Sequence, residues 1–122
     1  MYKWIVVVDD DPTNLKMAGH ILSKNDMRVT AMKSGKKLLE WIGGENIPDL
    51  ILLDLLMPDM DGLETFEALK TKEDVRHIPV VFLTASENDE DVRRCLDSDA
   101  RDIVKKPFIP DDLVSAVNRV LG

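Results

Sequence analysis

The chain has 122 residues, of which 44% are hydrophobic, and carries a formal net charge of −7 at pH 7. This length is typical of one domain with its own core, so we expect a single domain over residues 1–122. The negative charge argues against binding nucleic acid or an anionic membrane by bulk charge. One cysteine cannot form an intrachain disulfide, and no apolar run is long enough to span a bilayer. We expect a cytoplasmic protein without direct nucleic-acid or membrane contacts.

Strand and helix patterns alternate along the chain. Five short apolar runs rich in β-branched residues predict strands at Trp4 to Val8, Met27 to Met32, Leu50 to Leu53, Val80 to Leu83, and Ile103 with Val104. Helical spacing after each run predicts five helices, marked by Leu15, Ala18, Ile21 and Leu22; Leu38, Leu39 and Ile42; Leu63, Phe66 and Leu69; Val92, Cys95 and Leu96; and Leu113, Val114, Val117, Val120 and Leu121.

Several of the predicted helices have a start or stop signal. Asp11 before Pro12 is typical of an N-cap with proline at the first helical position, and Pro110 opens the fifth helix. Gly43 follows the second helix. Cys95 falls in the helical pattern of the fourth helix, so we expect it to be a small buried hydrophobe.

This alternation predicts the fold class. Near-continuous apolar strands that alternate with helices indicate a parallel sheet covered on both faces. We predict an α/β fold, namely a single doubly wound (βα)5 domain of flavodoxin-like type with strand order 2-1-3-4-5. Ligands of such sheets bind beyond the carboxyl ends of the strands, where the strand order reverses.

Polar side chains follow four of the five predicted strands. The acidic run at 9–11 follows the first, Asp54 ends the third, Thr84 ends the fourth and Lys106 follows the fifth. Taken singly, an Asp or Thr there is explained by capping, and a lysine by solvation or a counter-ion role. Together they predict a functional site at one edge of the sheet.

The expected crowding of Asp9, Asp10 and Asp54 needs a neutralising group. Two like charges about 4 Å apart repel by roughly 4 kcal/mol at an effective dielectric of 20. Protonation or a divalent cation removes this cost, and an all-oxygen site suits Mg²⁺ better than zinc. With Lys106 and Thr84 as partners for phosphoryl oxygens, the set is typical of phosphoryl transfer, and Asp54 is the candidate nucleophile.

Four segments, in order and at these spacings, resemble the receiver domain of bacterial two-component response regulators. They are "VVVDDD" at 6–11, "DLILLDLLMPDMDG" at 49–62, "PVVFLTA" at 79–85 and "KPF" at 106–108. The resemblance covers the whole chain. It implies that Asp54 is the phosphoacceptor and that Thr84 and Lys106 sense the phosphoryl group, with a cis bond between Lys106 and Pro107.

The resemblance also implies a cofactor and partners. Asp9, Asp10, Asp54 and the backbone carbonyl of Leu56 would hold Mg²⁺ or Mn²⁺, with Asp10 a direct ligand. The chain would then be a signalling switch of a two-component phosphorelay rather than a turnover enzyme. Its implied partners are a sensor histidine kinase or histidine phosphotransfer protein, and a downstream effector domain or protein. The surface of the fourth helix, fifth strand and fifth helix would change and support dimerisation.

The chain departs from the family pattern at two positions. Ile103 stands where an aromatic residue usually accompanies the threonine, so the usual aromatic switch is not carried over. Asp99 stands where glycine is common, and we expect a mildly strained turn there. Two further positions, Leu56 and Ser86, are expected to set the hydrolysis rate of the aspartyl phosphate. Because leucine cannot orient an attacking water, we expect slow dephosphorylation.

Two alternatives from other classes stay open. A phosphatase of the haloacid-dehalogenase type also uses an aspartate nucleophile with Mg²⁺, and Asp9, Asp11 and Thr13 have its Asp-x-Asp-x-Thr spacing. Its acid/base aspartate two residues after the nucleophile is, however, replaced by Leu56 if Asp54 is the nucleophile. The second alternative is a pseudo-receiver, which would bind proteins without being phosphorylated.

Overall fold

The computed structural model describes residues 2–85 and 89–122, and at 89 and 91 it describes the backbone alone. Strands and helices alternate through the described chain. In order they are β1 (Lys3–Val8), α1 (Pro12–Ser23), β2 (Met27–Met32), α2 (Gly35–Trp41), β3 (Leu50–Asp54), α3 (Gly62–Lys70), β4 (Val80–Thr84), α4 (Asp89–Leu96), β5 (Asp102–Lys105) and α5 (Pro110–Leu121).

The five strands form one parallel sheet in the order β2-β1-β3-β4-β5. The predicted fold class and strand order are therefore confirmed. In the register of the sheet, Val8 pairs with Leu53 of β3, and Leu53 pairs with Phe82 of β4. Because the strands are parallel, their carboxyl ends lie at one edge, and the residues after Val8 and Leu53 emerge side by side.

Alternate residues of the strands pack into two hydrophobic layers. Ile5 and Val7 of β1 pack on one face with buried residues of α1 and α5. Val6 and Val8 pack on the other face with residues of α2 and α3 and with Cys95 of α4. β3 and β4 are buried at every position, as expected for central strands covered on both sides. Each fully buried aliphatic side chain contributes about 1.5–3 kcal/mol, so the two layers fix the sheet beneath the site.

Helix caps fix the chain where it leaves the site edge. Asp11 caps α1 by accepting a hydrogen bond from the Thr13 backbone N–H at 2.9 Å, which confirms the predicted N-cap. Asp61 and Glu64 form a reciprocal capping box at the start of α3. Gly62 lies so close to the backbone of Asp54 that a β-carbon there would collide with the Asp54 carbonyl. The loop from β3 to α3 is therefore held against the end of β3.

The structure corrects several sequence-based expectations. Asp99 does not lie in the left-handed region, so the predicted strained turn there is wrong; among described non-glycine residues, Asp26 and Asp59 have positive φ. The second helix ends at Trp41 with Ile42 as its C-cap, so Gly43, which has a positive φ of 112°, follows the helix as predicted. Leu96, expected on a buried helical face, is 71% exposed, whereas Cys95 is buried as predicted.

Within the described chain, the helices are too short or too polar to cross a membrane.

Candidate functional site

The carboxyl edge of β1 and β3 gathers three carboxylates. One carboxylate oxygen from each of Asp9, Asp10 and Asp54 lies within 4.8 Å of the others. Asp9 and Asp54 are buried and Asp10 is exposed, so the cluster reaches from the interior to solvent. The register explains the pairing, because Asp9 and Asp54 each follow one of the paired residues Val8 and Leu53. The predicted convergence of these three acids is thus present in the fold.

Lys106 bridges the two buried acids. Its ammonium nitrogen lies 3.0 Å from Asp9 Oδ2 and 3.0 Å from Asp54 Oδ1. Its backbone N–H donates to the carbonyl of Thr84 at 2.8 Å, which extends the pairing of β4 and β5 beyond the strand end. The Lys106-Pro107 bond is cis, as the family resemblance implied. One cation therefore counters the two buried carboxylates in this structure.

Burial and charge shift the acid-base behaviour of this pair. The pKa of Asp54 is raised from 3.8 to about 7, chiefly by burial; the hydrogen bond from Lys106 acts to lower it, and the neighbouring charge of Asp9 acts to raise it. For Lys106, burial acts to lower the pKa, but its hydrogen bonds to Asp54 and Asp9 outweigh burial and raise the pKa above 10.5. Asp54 therefore takes up a proton near neutral pH, whereas Lys106 stays protonated.

Asp11 has a different role from the three clustered acids. Its side chain caps α1, and its backbone N–H donates to Asp9 Oδ1 at 2.9 Å. The acid that joins Asp9 and Asp54 is therefore Asp10, at a spacing that does not match the Asp-x-Asp pattern of the phosphatase alternative. This arrangement argues against that alternative.

A cavity of about 460 Å³ opens over the cluster. It is lined by Asp9, Asp10, Asp11, Asn14, Asp54, Leu56, Ala85, Lys106 and Pro107. Sequence reasoning missed Asn14 as a lining residue. The signal was present, since a helix that begins at Pro12 carries its first turn, with Asn14, over the neighbouring strand ends.

The remaining predicted residues surround the cavity in different ways. Thr84 is buried at the end of β4, one position beyond Leu83, which pairs with Asp54. The Leu56 side chain is 56% exposed and lines the cavity. Ile103 is half-buried in β5 beside Phe82. Ser86 lies outside the described residues.

The donor set fits a hard divalent cation. The clustered ligand atoms are carboxylate oxygens, and the exposed position of Asp10 leaves room for water ligands, which Mg²⁺ usually retains. No sulfur or imidazole ligand belongs to this group of acids. The cluster is therefore chemically suited to Mg²⁺.

Comparisons with known proteins agree with this site. A model of the response regulator receiver domain family matches residues 5–118. The two-component response regulator ORR5 of Oryza sativa subsp. japonica is 34% identical over 117 residues, covering 96% of this chain and 87% of that protein. A probable cyclic di-GMP phosphodiesterase of Vibrio cholerae is 40% identical over 103 residues, covering 84% of this chain and 23% of that protein.

Solved structures agree in fold. The signal receiver domain of a signal transduction histidine kinase from Syntrophus aciditrophicus has a TM-score of 0.83 at 35% identity, covering 98% of this chain and 89% of that one. The Vibrio cholerae chemotaxis protein CheY4 has a TM-score of 0.90 at 26% identity, covering 99% and 100%. Because the family match spans nearly the whole chain, this protein belongs to the response regulator receiver domain family, a family of two-component signalling proteins.

Proposed function

We propose that this receiver domain is switched by phosphorylation of Asp54, and that residues 1–122 form one phosphoacceptor domain. The observation that carries the proposal is the gathering of three carboxylates within 4.8 Å beneath an open cavity, with Lys106 in contact with two of them. A buried acid cluster of this kind is costly in a purely structural role. Binding a cation and a phosphoryl group offsets that cost.

In the proposed reaction, an ionised Asp54 oxygen attacks the phosphorus of an acyl phosphate or of a phosphohistidine. A new P–O bond forms to Asp54, the bond to the leaving group breaks, and its electron pair departs with the leaving group. Asp9, Asp10, Asp54 and the carbonyl of Leu56 would hold Mg²⁺, or Mn²⁺ in its stead, which when bound supplies positive charge to the phosphoryl oxygens. The pKa of Asp54, about 7, means that cation binding also favours the ionised nucleophile.

Lys106 and Thr84 would respond to the product. The aspartyl phosphate carries close to two negative charges. Lys106 contacts Asp54 before phosphorylation, so a small movement of its ammonium lets it hold a phosphoryl oxygen instead. Thr84 ends the neighbouring strand and would donate its hydroxyl to another oxygen. Because the Lys106 backbone N–H donates a hydrogen bond to the Thr84 carbonyl, movements of the Lys106 and Thr84 side chains would both act on the ends of β4 and β5.

The response would appear on the surface formed by α4, β5 and α5. Leu96, the last residue of α4, and Ile109, the N-cap of α5, are exposed at 71% and 59%, and Ile103 of β5 is half-buried. The exposed apolar side chains of Leu96 and Ile109 are accessible to a protein partner. Moving a population from mostly inactive to mostly active needs about 5.5 kcal/mol of differential interaction, within reach of a metal and charge-assisted contacts. We propose this surface for an effector and for dimerisation.

The proposed partners follow from the membership of the chain in two-component response regulators. A sensor histidine kinase or a histidine phosphotransfer protein would supply the phosphoryl group, and an effector domain or protein would read the response. Cytoplasmic location is part of the same proposal, since these donors are energised by ATP inside the cell.

Intact-protein mass spectrometry tests the proposal. The wild type is incubated with acetyl phosphate and Mg²⁺, with Asp54→Asn and an EDTA-treated sample in parallel. We expect a gain of one phosphoryl group in the wild type with Mg²⁺ and none in the two controls. An unmodified wild type would favour the pseudo-receiver alternative. Steady turnover of a phosphate monoester by the wild type would favour the phosphatase alternative.

A further inference from the structure

Asn14 is an unassigned polar side chain at the cavity over Asp54. It lies in the first turn of α1 and is half-buried. Of the lining side chains that the structure describes, those of Asn14 and Lys106 carry N–H groups. Lys106 already contacts two carboxylates at 3.0 Å, whereas the Asn14 amide has no hydrogen-bond partner within the described chain. Asn14 is therefore the lining donor that is available to a ligand.

The charges that surround the Asn14 amide make an uncharged donor useful for binding an anion. Asp9, Asp10, Asp11 and Asp54 line the same cavity, so its walls carry four acids and one ammonium. An acyl phosphate is itself an anion and meets repulsion from these walls. An uncharged amide can donate to a phosphate oxygen without adding to the negative charge. An aspartate in the same place would accept rather than donate, and would increase the repulsion.

We propose that the amide of Asn14 contacts the anionic phosphodonor at the cavity and so promotes its reaction with Asp54. This inference rests on the proposed phosphorylation of Asp54. It assigns to Asn14 a substrate-binding role that is distinct from the metal-binding role proposed for the clustered acids.

A purely structural role for Asn14 is poorly supported by its contacts. The cap of α1 is Asp11, which receives the hydrogen bond from the Thr13 backbone. The buried face of α1 consists of Leu15, Ala18, Ile21 and Leu22. Because Asn14 neither caps the helix nor belongs to this face, we expect its variants to fold with a melting temperature close to that of the wild type.

The test compares wild type, Asn14→Ala and the near-isosteric Asn14→Asp. Phosphorylation by acetyl phosphate in saturating Mg²⁺ is followed by mass spectrometry at several donor concentrations. Ser23→Ala, an exposed change at the other end of α1, is the matched control and should react like the wild type. We expect Asn14→Ala to lower the second-order rate constant about tenfold, the usual effect of losing one hydrogen bond to a charged group.

Two further readouts separate substrate contact from other roles. Asn14→Asp should react more slowly than Asn14→Ala at low ionic strength, and the gap should narrow as salt is added. The Mg²⁺ dissociation constant of Asn14→Ala, measured by calorimetry, should stay within about twofold of the wild type.

Three results would overturn the inference. They are a rate for Asn14→Ala within twofold of the wild type, a parallel tenfold loss of Mg²⁺ affinity, or no salt-dependent gap between the two variants. A wild type that is never phosphorylated would instead overturn the proposed function itself.

Discussion

Lys106 and Asp54 form a contact of 3.0 Å in which the same ammonium also lies 3.0 Å from Asp9. The lysine side chain is 11% exposed and the two carboxylates are almost fully buried, so solvent screens these charges weakly. Lys106 thus occupies the position of a counter-ion before any metal or phosphoryl group arrives. The stability of the metal-free fold and the chemistry of the site therefore depend on the same lysine.

Replacing Lys106 with methionine should destabilise the metal-free protein. Two buried carboxylates would lose their shared cation, and breaking a buried charge pair costs about 3 kcal/mol. Urea unfolding at pH 8 in EDTA measures the loss. Mg²⁺ should then stabilise Lys106→Met more than it stabilises the wild type, because the ion takes over the counter-charge.

Lys105→Met is the matched control for this experiment. Lys105 is the exposed neighbour of Lys106 and takes part in none of the ion pairs of the described residues. We expect Lys105→Met to change the free energy of unfolding by less than about 0.5 kcal/mol. Equal effects of the two substitutions would contradict the bridging role of Lys106.

The raised pKa of Asp54 predicts a pH-dependent effect of Asp54→Asn. Between the unfolded value of 3.8 and the folded value of about 7, the folded protein holds a proton that the unfolded chain has lost. The free energy of unfolding of the wild type therefore falls as the pH rises through this window, and it has fallen by its full amount above the folded pKa. Asparagine avoids this loss. In EDTA at pH 8 the variant should be more stable than the wild type by about 2 kcal/mol, with little difference near pH 4.

Thermal or urea unfolding across this pH range checks the sign. A variant less stable than the wild type at pH 8 would show that Lys106 stabilises ionised Asp54 by more than burial destabilises it. Added Mg²⁺ should make the wild type more stable than Asp54→Asn at pH 8. The reason is that Mg²⁺ binding stabilises the folded wild type, whereas the asparagine variant binds the ion much more weakly.

Leu56→Asn should speed loss of the phosphoryl group from the modified protein. Leu56 lines the cavity, and its side chain offers no group that can orient a water molecule. An amide in this place can position the attacking water, so we expect hydrolysis to become about tenfold faster. The decay of phosphorylated protein after removal of the donor gives the rate. Leu56→Ile, which stays apolar, is the control, and equal decay of all three proteins would contradict the expected slow dephosphorylation.

Asp26→Gly should stabilise the fold. Asp26 follows the end of α1 with φ of 61°, in the left-handed region where a β-carbon is unfavourable. The substitution also removes a negative charge near the negative end of the helix dipole. We expect a gain of about 1 kcal/mol in the free energy of unfolding. Asp26→Ala removes the same charge but keeps the β-carbon, so a gain as large as that of glycine would show that charge alone is responsible.

Sequence patterns identified the fold because hydrophobic burial and local capping agree along most of this chain. The pattern at Leu15, Ala18, Ile21 and Leu22 predicts one helix face, and all four residues are buried. β5 was harder, since the predicted apolar pair of Ile103 and Val104 is only the centre of Asp102–Lys105. The ends of β5, Asp102 and Lys105, belong to the strand because their backbones pair with β4. Backbone pairing does not depend on side-chain hydropathy, so the hydropathy pattern cannot predict it.

The site was predictable as far as it depends on strand ends. Asp9, Asp10 and Asp54 meet because the residues before Asp9 and Asp54 pair in register, which a parallel sheet in this order requires. The bridging position of Lys106 depends instead on the loop after β5, which is set by tertiary packing. For the same reason the expected strain at Asp99 was wrong and the positive φ at Asp59 was not foreseen.

The most direct test of the central claim is to locate the phosphoryl group by chemical trapping. After reaction with acetyl phosphate and Mg²⁺, borohydride reduction converts an aspartyl phosphate to homoserine, which tandem mass spectrometry can assign to a position. We expect homoserine at position 54, with none in a sample treated with EDTA. Homoserine at position 9 or 10 in place of 54, or a phosphate on a hydroxyl side chain, would contradict the assignment of Asp54 as the phosphoacceptor.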